Sequence, residues 1–231
     1  SVSFGQKTVR LFKIGKGFKI TEEVKNYVSL DVMGIFIRDF GIQLGYALDT
    51  LAMDVLINGN QVDGSESAPV IGVNTTAEGI TYKDLLRTWV RGSRLGRTFR
   101  TLIGDESVAI DILDLPEFKI KMYGQPQSTM NLKTPVPSSS DFYIHPGIPE
   151  NNVLLVDPRS ALIKLTARQL MIESEKIVSN QTEAVYATIT TGFSKMYRDA
   201  SILIDSTKEF STNGFPEWMN IDPYITVNIE Q

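Results

Sequence analysis

A chain of 231 residues, 42% of them apolar, has material for one large domain or two modest ones, and with no cysteine it holds no disulfide, thiolate metal site or cysteine nucleophile. Its formal net charge of −4 gives the molecule as a whole no electrostatic reason to seek nucleic acid or an anionic membrane, so any nucleic-acid contact would be local and weak. The longest apolar runs are broken within a few residues, short of the roughly 20 a membrane span needs, and Ser1-Val2-Ser3-Phe4 lacks the Met, basic region and apolar region of a signal peptide, as in a chain that was cut, processed or truncated.

Residues 7 to 20 mix Lys and Arg with Val, Leu, Phe and Ile at near-alternating positions, which predicts a strand. Lys7, Arg10, Lys13, Lys16 and Lys19 make one face basic, either as an edge strand guarded by lysines or as a contact surface for another subunit. Thr21 then caps a short helix whose first turn holds Glu22 and Glu23, where carboxylates suit the helix dipole. From Ser29, Met33, Phe36, Phe40, Leu44, Ala47, Leu48, Leu51 and Val55 recur at steps of three and four, one apolar stripe on a helix from Leu30 to Ile57. Such a helix is roughly 40 Å long and stops at Asn58-Gly59-Asn60. Gly34, Gly41 and Gly45 weaken it, which implies a compensating close approach or bend.

Gln61 to Asn74 is rich in Gly, Ser, Asp and Asn and reads as a loop or domain crossing. Thr81-Tyr82-Lys83-Asp84 has capping-box form and opens a helix carrying Leu85, Leu86, Trp89 and Val90. Phe99 to Ile103 reads as a short buried strand, and Asp105 begins a helix through Ile112 and Leu113, an alternation that indicates an α+β or mixed α/β domain. The stretch 124 to 150, with Pro126, Pro135, Pro137, Pro146 and Pro149, is irregular and exposed. Val153 to Val156 predicts a buried strand, and Asp157-Pro158 an N-cap and first helical residue. Leu170 to Asp205 is strand-rich, with Val185, Ala187 and Ile189 on one face and Ile202 and Ile204 on another. After Ser206 the tail is polar until a possible strand at Tyr224 to Val227, and no repeat period runs through the chain.

Residues able to carry chemistry are few. His145, the lone histidine, lies between Ile144 and Pro146 and reads as a solvent-exposed loop residue, with no second His or Cys to build a metal site and no Gly-x-Ser-x-Gly beside it. Gly92-Ser93-Arg94-Leu95-Gly96-Arg97-Thr98 lacks one residue between its glycines, and a lysine, to be a phosphate loop; Gly15-Lys16-Gly17 is weaker still. Asp105, Glu106, Asp111 and Asp114 form an acidic cluster that could in principle hold Mg²⁺ or act as paired carboxylates, but a cap and a solvated helix face account for it. Arg87, Arg91, Arg94, Arg97 and Arg100 recur every three or four residues, as a solvated face or a row of intersubunit ion pairs interrupted by Gly92 and Gly96. No catalytic, cofactor-binding or metal residue is assigned.

The segment Asn152-Val153-Leu154-Leu155-Val156-Asp157-Pro158-Arg159-Ser160-Ala161-Leu162, with Leu170-Met171-Ile172-Glu173 and Gly192-Phe193, resembles the C-terminal half of tailed-phage major capsid proteins of the Hong Kong ninety-seven phage fold. The blocks upstream agree in order: Ile20 to Val24, a long helix ending at Asn58-Gly59, and a smaller mixed region from Tyr82 to Pro116. The resemblance implies an α+β subunit with a long spine helix. Residues 1–20 would be the returning half of an extended loop, 21–60 and 165–199 a peripheral domain, 61–164 and 200–205 an axial domain, and 206–231 a C-terminal extension. It further implies self-assembly into pentamers and hexamers of an icosahedral head around double-stranded DNA, contacted weakly and without sequence specificity. Scaffold, portal and decoration proteins would be partners, assembly would take place in the host cytoplasm, and no membrane or cofactor is implied. Two other readings are an encapsulin-type compartment shell, which shares the fold, and an α+β enzyme using the 105–114 acidic cluster.

Overall fold

The computed structural model describes residues 8–27, 32–60, 62–115, 140–211 and 215. Alternating apolar residues build the first of two sheets, in the order β1 (Phe12–Thr21), β7 (Thr182–Lys195), β6 (Leu162–Ile177), all antiparallel. Residues paired across an antiparallel ladder share a face, so Ile14 and Phe18 of β1 lie with Ile189 and Val185 of β7, directly opposite them. Helix α2 (Val32–Asn58) packs on that face, with the Phe36 ring 5.2 Å from Phe18 and Leu44 buried. On the other face, Cβ atoms at Gly15 and Gly17 would stand 2.7 Å from the Thr188 methyl and 2.4 Å from the Tyr186 ring. The Gly15-Lys16-Gly17 run thus serves packing, letting Tyr186 and Thr188 lie close against the strand.

The second sheet runs β2 (Val70–Val73), β8 (Ser201–Glu209), β5 (Asn152–Val156), β3 (Thr101–Gly104), β4 (Asp141–Ile144), with β2 parallel to β8, β3 parallel to β4 and β5 antiparallel to both its neighbours. Both of its faces are covered, which explains the unbroken apolar run in β5. Val153 and Leu155 point into a core with Leu85 of α3 (Tyr82–Arg94), Val108 and Ile112 of α4 (Glu106–Asp114), Phe99, Ile202 and Ile204. Leu154 and Val156 point to the opposite core, with Leu56 and Ile57 of α2, Ala161 and Leu203. Full burial contributes about 1.5–3 kcal/mol for each large apolar side chain, so these two clusters hold the layers together. The last turn of α2 is anchored on this side as well: the Leu56 carbonyl accepts from Lys195 Nζ at 3.1 Å and from the Ser201 hydroxyl at 3.2 Å, both buried. An ammonium at a helix C-terminus also favours the dipole.

Several local expectations hold. The Thr81 capping box is complete, with Asp84 answering the Thr81 backbone, and Asp105 caps α4 through the Val108 N–H. The short helix after Thr21 is α1 (Glu22–Tyr27). Others do not. Within the stretch expected to be a loop from Gln61 to Asn74, Val70–Val73 is a strand, and within the proline-rich stretch Asp141–Ile144 is another, because each finds a parallel neighbour distant in sequence. Asp157-Pro158 opens no helix: Asp157 accepts from the Arg159 N–H at 3.1 Å and the Ser160 hydroxyl at 2.8 Å, closing a single turn before Leu162 enters β6. Gly92 does not break α3, since its missing Cβ makes room for the buried Phe99 ring; Gly96, at φ 71°, follows the helix end. Lys7, the segment 116–139 and the tail strand at 224–227 lie outside the described residues.

Candidate assembly surface

Strand geometry divides the basic row. Side chains alternate with period two, so Lys13 and Lys19 share the face of Gly15 and Gly17, whereas Lys16 points toward α2 and donates to Gln43, whose amide donates to Asp39 at 2.7 Å. Arg10 precedes the strand with its guanidinium 5.3 Å from the Phe12 ring centroid. One continuous basic face therefore does not form.

The arginines of α3 divide similarly. Arg87 pairs with Asp84 at 3.2 Å and stacks 4.2 Å over Phe210, and Arg91 lies 5.1 Å over Phe215. Arg97, expected to reach another subunit, is committed inside this one: it pairs with buried Asp199 at 2.9 Å, donates to the Ser160 hydroxyl at 3.3 Å and stacks 4.3 Å over Tyr197. Because Gly96 turns the chain, Arg97 leaves the helix stripe and faces inward. Arg94 and Arg100 remain exposed.

The acidic residues of α4 stand on its solvent side apart from the capping Asp105, and no group of three His, Asp or Glu able to hold a metal occurs among the described residues. His145 is buried, contrary to the exposed loop position expected. Its Nδ1 accepts from the Gly147 N–H at 3.0 Å and its ring centroid lies 6.2 Å from that of Tyr46, because the loop after β4 folds under α2. Only the local residue types were visible in sequence, and they do not report this distant contact.

Two large surfaces carry apolar side chains that the subunit itself leaves uncovered. Opposite the sheet-facing side of α2, Ile35, Ile42 and Tyr46 are each more than half exposed, and nothing within 4 Å would meet a Cβ at Gly41 or Gly45. Among the described residues, no close approach of the kind expected is made at these two glycines. Helix Gly34–Asn58 is in fact long and apolar enough, by length and composition, to cross a membrane, which departs from the sequence expectation of none. Apolar residues away from the sheet, interspersed with exposed Arg38, Asp39, Gln43, Asp49 and Asp54, give α2 a surface for a neighbour to cover. The second surface is β6, an edge strand of 16 residues with exposed Ile163, Leu165, Leu170 and Ile172 whose outer edge pairs with no strand among the described residues. Isolated folded proteins rarely leave such an edge open. At its tip Lys176 reaches Glu22 at 2.8 Å, and that hydrogen bond and charge hold the ammonium above the usual lysine range.

A family model described as "Phage capsid protein" matches residues 5–210. Among solved structures, the chain is similar to that of Microbacterium phage Oxtober96, with a TM-score of 0.65 at 12% identity over 85% of this chain and 73% of that one. It is similar to the capsid of Cyanophage P-SCSP1u, with a TM-score of 0.62 at 10% identity and the same coverage. A third likeness is to the SrpI encapsulin of Synechococcus elongatus PCC 7942, at 0.60 and 12% identity over 87% and 76% of the two chains. A search of curated protein sequences finds no match.

Proposed function

Since the chain belongs to the phage capsid protein family and is a major capsid protein of the Hong Kong ninety-seven phage fold, we propose that it assembles into the pentamers and hexamers of an icosahedral head enclosing double-stranded DNA. The observation that supports this most is the uncovered apolar surface of α2 and β6, which two different elements present at once. A soluble monomer gains nothing from either, whereas a shell subunit with several neighbours covers both. On this reading the sheet β1-β7-β6 with α2 is the peripheral domain, and the five-stranded sheet with α3 and α4 is the axial domain nearest the capsomer axes. Assembly would take place in the host cytoplasm, with scaffold and portal as partners, and the energy would come from repeated interfaces without a catalytic step.

The encapsulin-like structure shares the fold, so the contents of the shell distinguish the two readings. Purified particles imaged by electron microscopy are expected to hold DNA; an enclosed enzyme would favour the compartment. Asp111→Asn with Asp114→Asn tests the enzyme reading, since shells are expected to form unchanged. Loss of a measurable reaction on those substitutions would refute the shell role as the protein's sole activity.

A further inference from the structure

Charge in this chain is segregated over a short distance. Residues 82–100 carry Lys83, Arg87, Arg91, Arg94, Arg97 and Arg100 against Asp84 alone, while residues 105–114 carry Asp105, Glu106, Asp111 and Asp114 and no basic residue. In a molecule of net charge −4 this places a strongly basic and a strongly acidic helix over the same sheet face. Part of the charge is used internally: Asp84, Arg87 and Arg97 pair within the subunit and Asp105 caps α4.

The exposed charge is arranged in two stripes. On α3, Lys83, Val90 and Arg94 recur at helical spacing, and Val90 is 58% exposed. On α4, Glu106, Ile110, Leu113 and Asp114 do the same, with Ile110 61% and Leu113 40% exposed. Each stripe therefore has an apolar centre flanked by charge of one sign.

We propose that the α3 stripe of one subunit docks against the α4 stripe of a second copy, head to tail, around the axis of the capsomer. This rests on the shell reading above and names its contact. Charge complementarity selects the occupant. Pairing either stripe with itself would set like charges together around an apolar centre, whereas α3 against α4 sets Val90 toward Ile110 and Leu113 with opposite charges at the rim. DNA would suit the basic stripe and be repelled by the acidic one, leaving the exposed Ile110 and Leu113 uncovered. A single chain carrying both halves of a heterologous contact builds rings when the rotation closes.

The test is charge reversal with rescue, using the full chain under conditions in which the wild type forms shells. Arg94→Glu alone and Glu106→Lys alone are each expected to lower the assembled fraction at least tenfold at fixed concentration. Combined in one chain they restore opposite signs across every contact and are expected to recover assembly to within about twofold. Thermal unfolding of the unassembled variants separates lost assembly from lost folding, and both stripes being exposed predicts little change. Single variants that assemble like the wild type, or a double variant no better than the singles, would overturn the proposal while leaving the shell role intact. So would a loss of double-stranded DNA binding by Arg94→Glu with assembly unaffected. A wild type that forms no shells would instead refute the shell role itself.

Discussion

Gly92→Ala sets two physical effects against each other in one side chain. Helix propensity alone favours alanine by about 1 kcal/mol in the interior of α3. The added Cβ, however, would lie 1.9 Å from Cε2 and 2.5 Å from Cδ2 of Phe99, where carbon atoms in contact need roughly 3.5–4.0 Å. The ring must retreat by about 1.5 Å or more, and Phe99 is fully buried among Leu85, Leu95 and Ile112, so nothing around it yields cheaply. Overpacking of this kind costs about 1–3 kcal/mol, which leaves a net loss of up to about 2 kcal/mol once the propensity gain is subtracted. Urea unfolding of the unassembled subunit, followed by the fluorescence of Trp89 in the same core, reads the difference. Adding Phe99→Leu should shrink the penalty, because a smaller side chain leaves the Cβ room. Gly92→Ala at or above wild-type stability would refute the packing argument. Gly41→Ala and Gly45→Ala provide the opposite sign: no atom stands within 4 Å of either Cβ position, so each should stabilise the subunit by up to about 1 kcal/mol.

Three further outcomes follow from the buried polar contacts. Arg97→Met removes the guanidinium paired with the Asp199 carboxylate, whose side chain is 1% exposed, and should cost about 3–5 kcal/mol in urea unfolding. Adding Asp199→Leu should recover much of that loss, because the buried carboxylate is removed along with its cation; a double variant as unstable as the single would argue that the pair is not what holds Arg97. Burial pushes the Asp205 carboxyl up, but hydrogen bonds from Thr207 and the Lys208 ammonium outweigh it and hold it below the usual value of 3.8. The stabilisation from ionised Asp205 is therefore present at neutral pH and lost as pH falls below 3.8 through the lowered folded value. The stability gap between wild type and Asp205→Asn should close over that window, and a gap independent of pH would contradict the assignment.

Elements written in local patterns were legible in the sequence: the 27-residue α2, the Thr81 capping box, the Asp105 cap and the buried run of β5. Each is decided by residues within a turn or two of one another. The four-residue strands β2 and β4 were not, since they exist through backbone hydrogen bonds to β8 and β3, far away in the chain. The start of β6 was hidden because nearly all its residues are exposed, so the two faces do not differ in polarity, and its register with β7 shifts near Arg168. Of the candidate contact residues, strand parity sets Lys16, still exposed, toward α2, and the Gly96 turn sends Arg97 inward; His145, expected in an exposed loop, is buried by a loop that only the tertiary fold brings under α2. The exposed stripes of α3 and α4 were visible as charge patterns; their apolar centres became meaningful once burial distinguished Val90, Ile110 and Leu113 from the core.

Cryo-electron microscopy of particles purified after expression with the scaffold and any N-terminal arm tests the central claim most directly. Closed icosahedral shells, with α2 and β6 covered by neighbouring subunits and DNA within the packaged form, are the expected result. A protein that remains monomeric at high concentration under those conditions, with α2 and β6 still open to solvent, would contradict it.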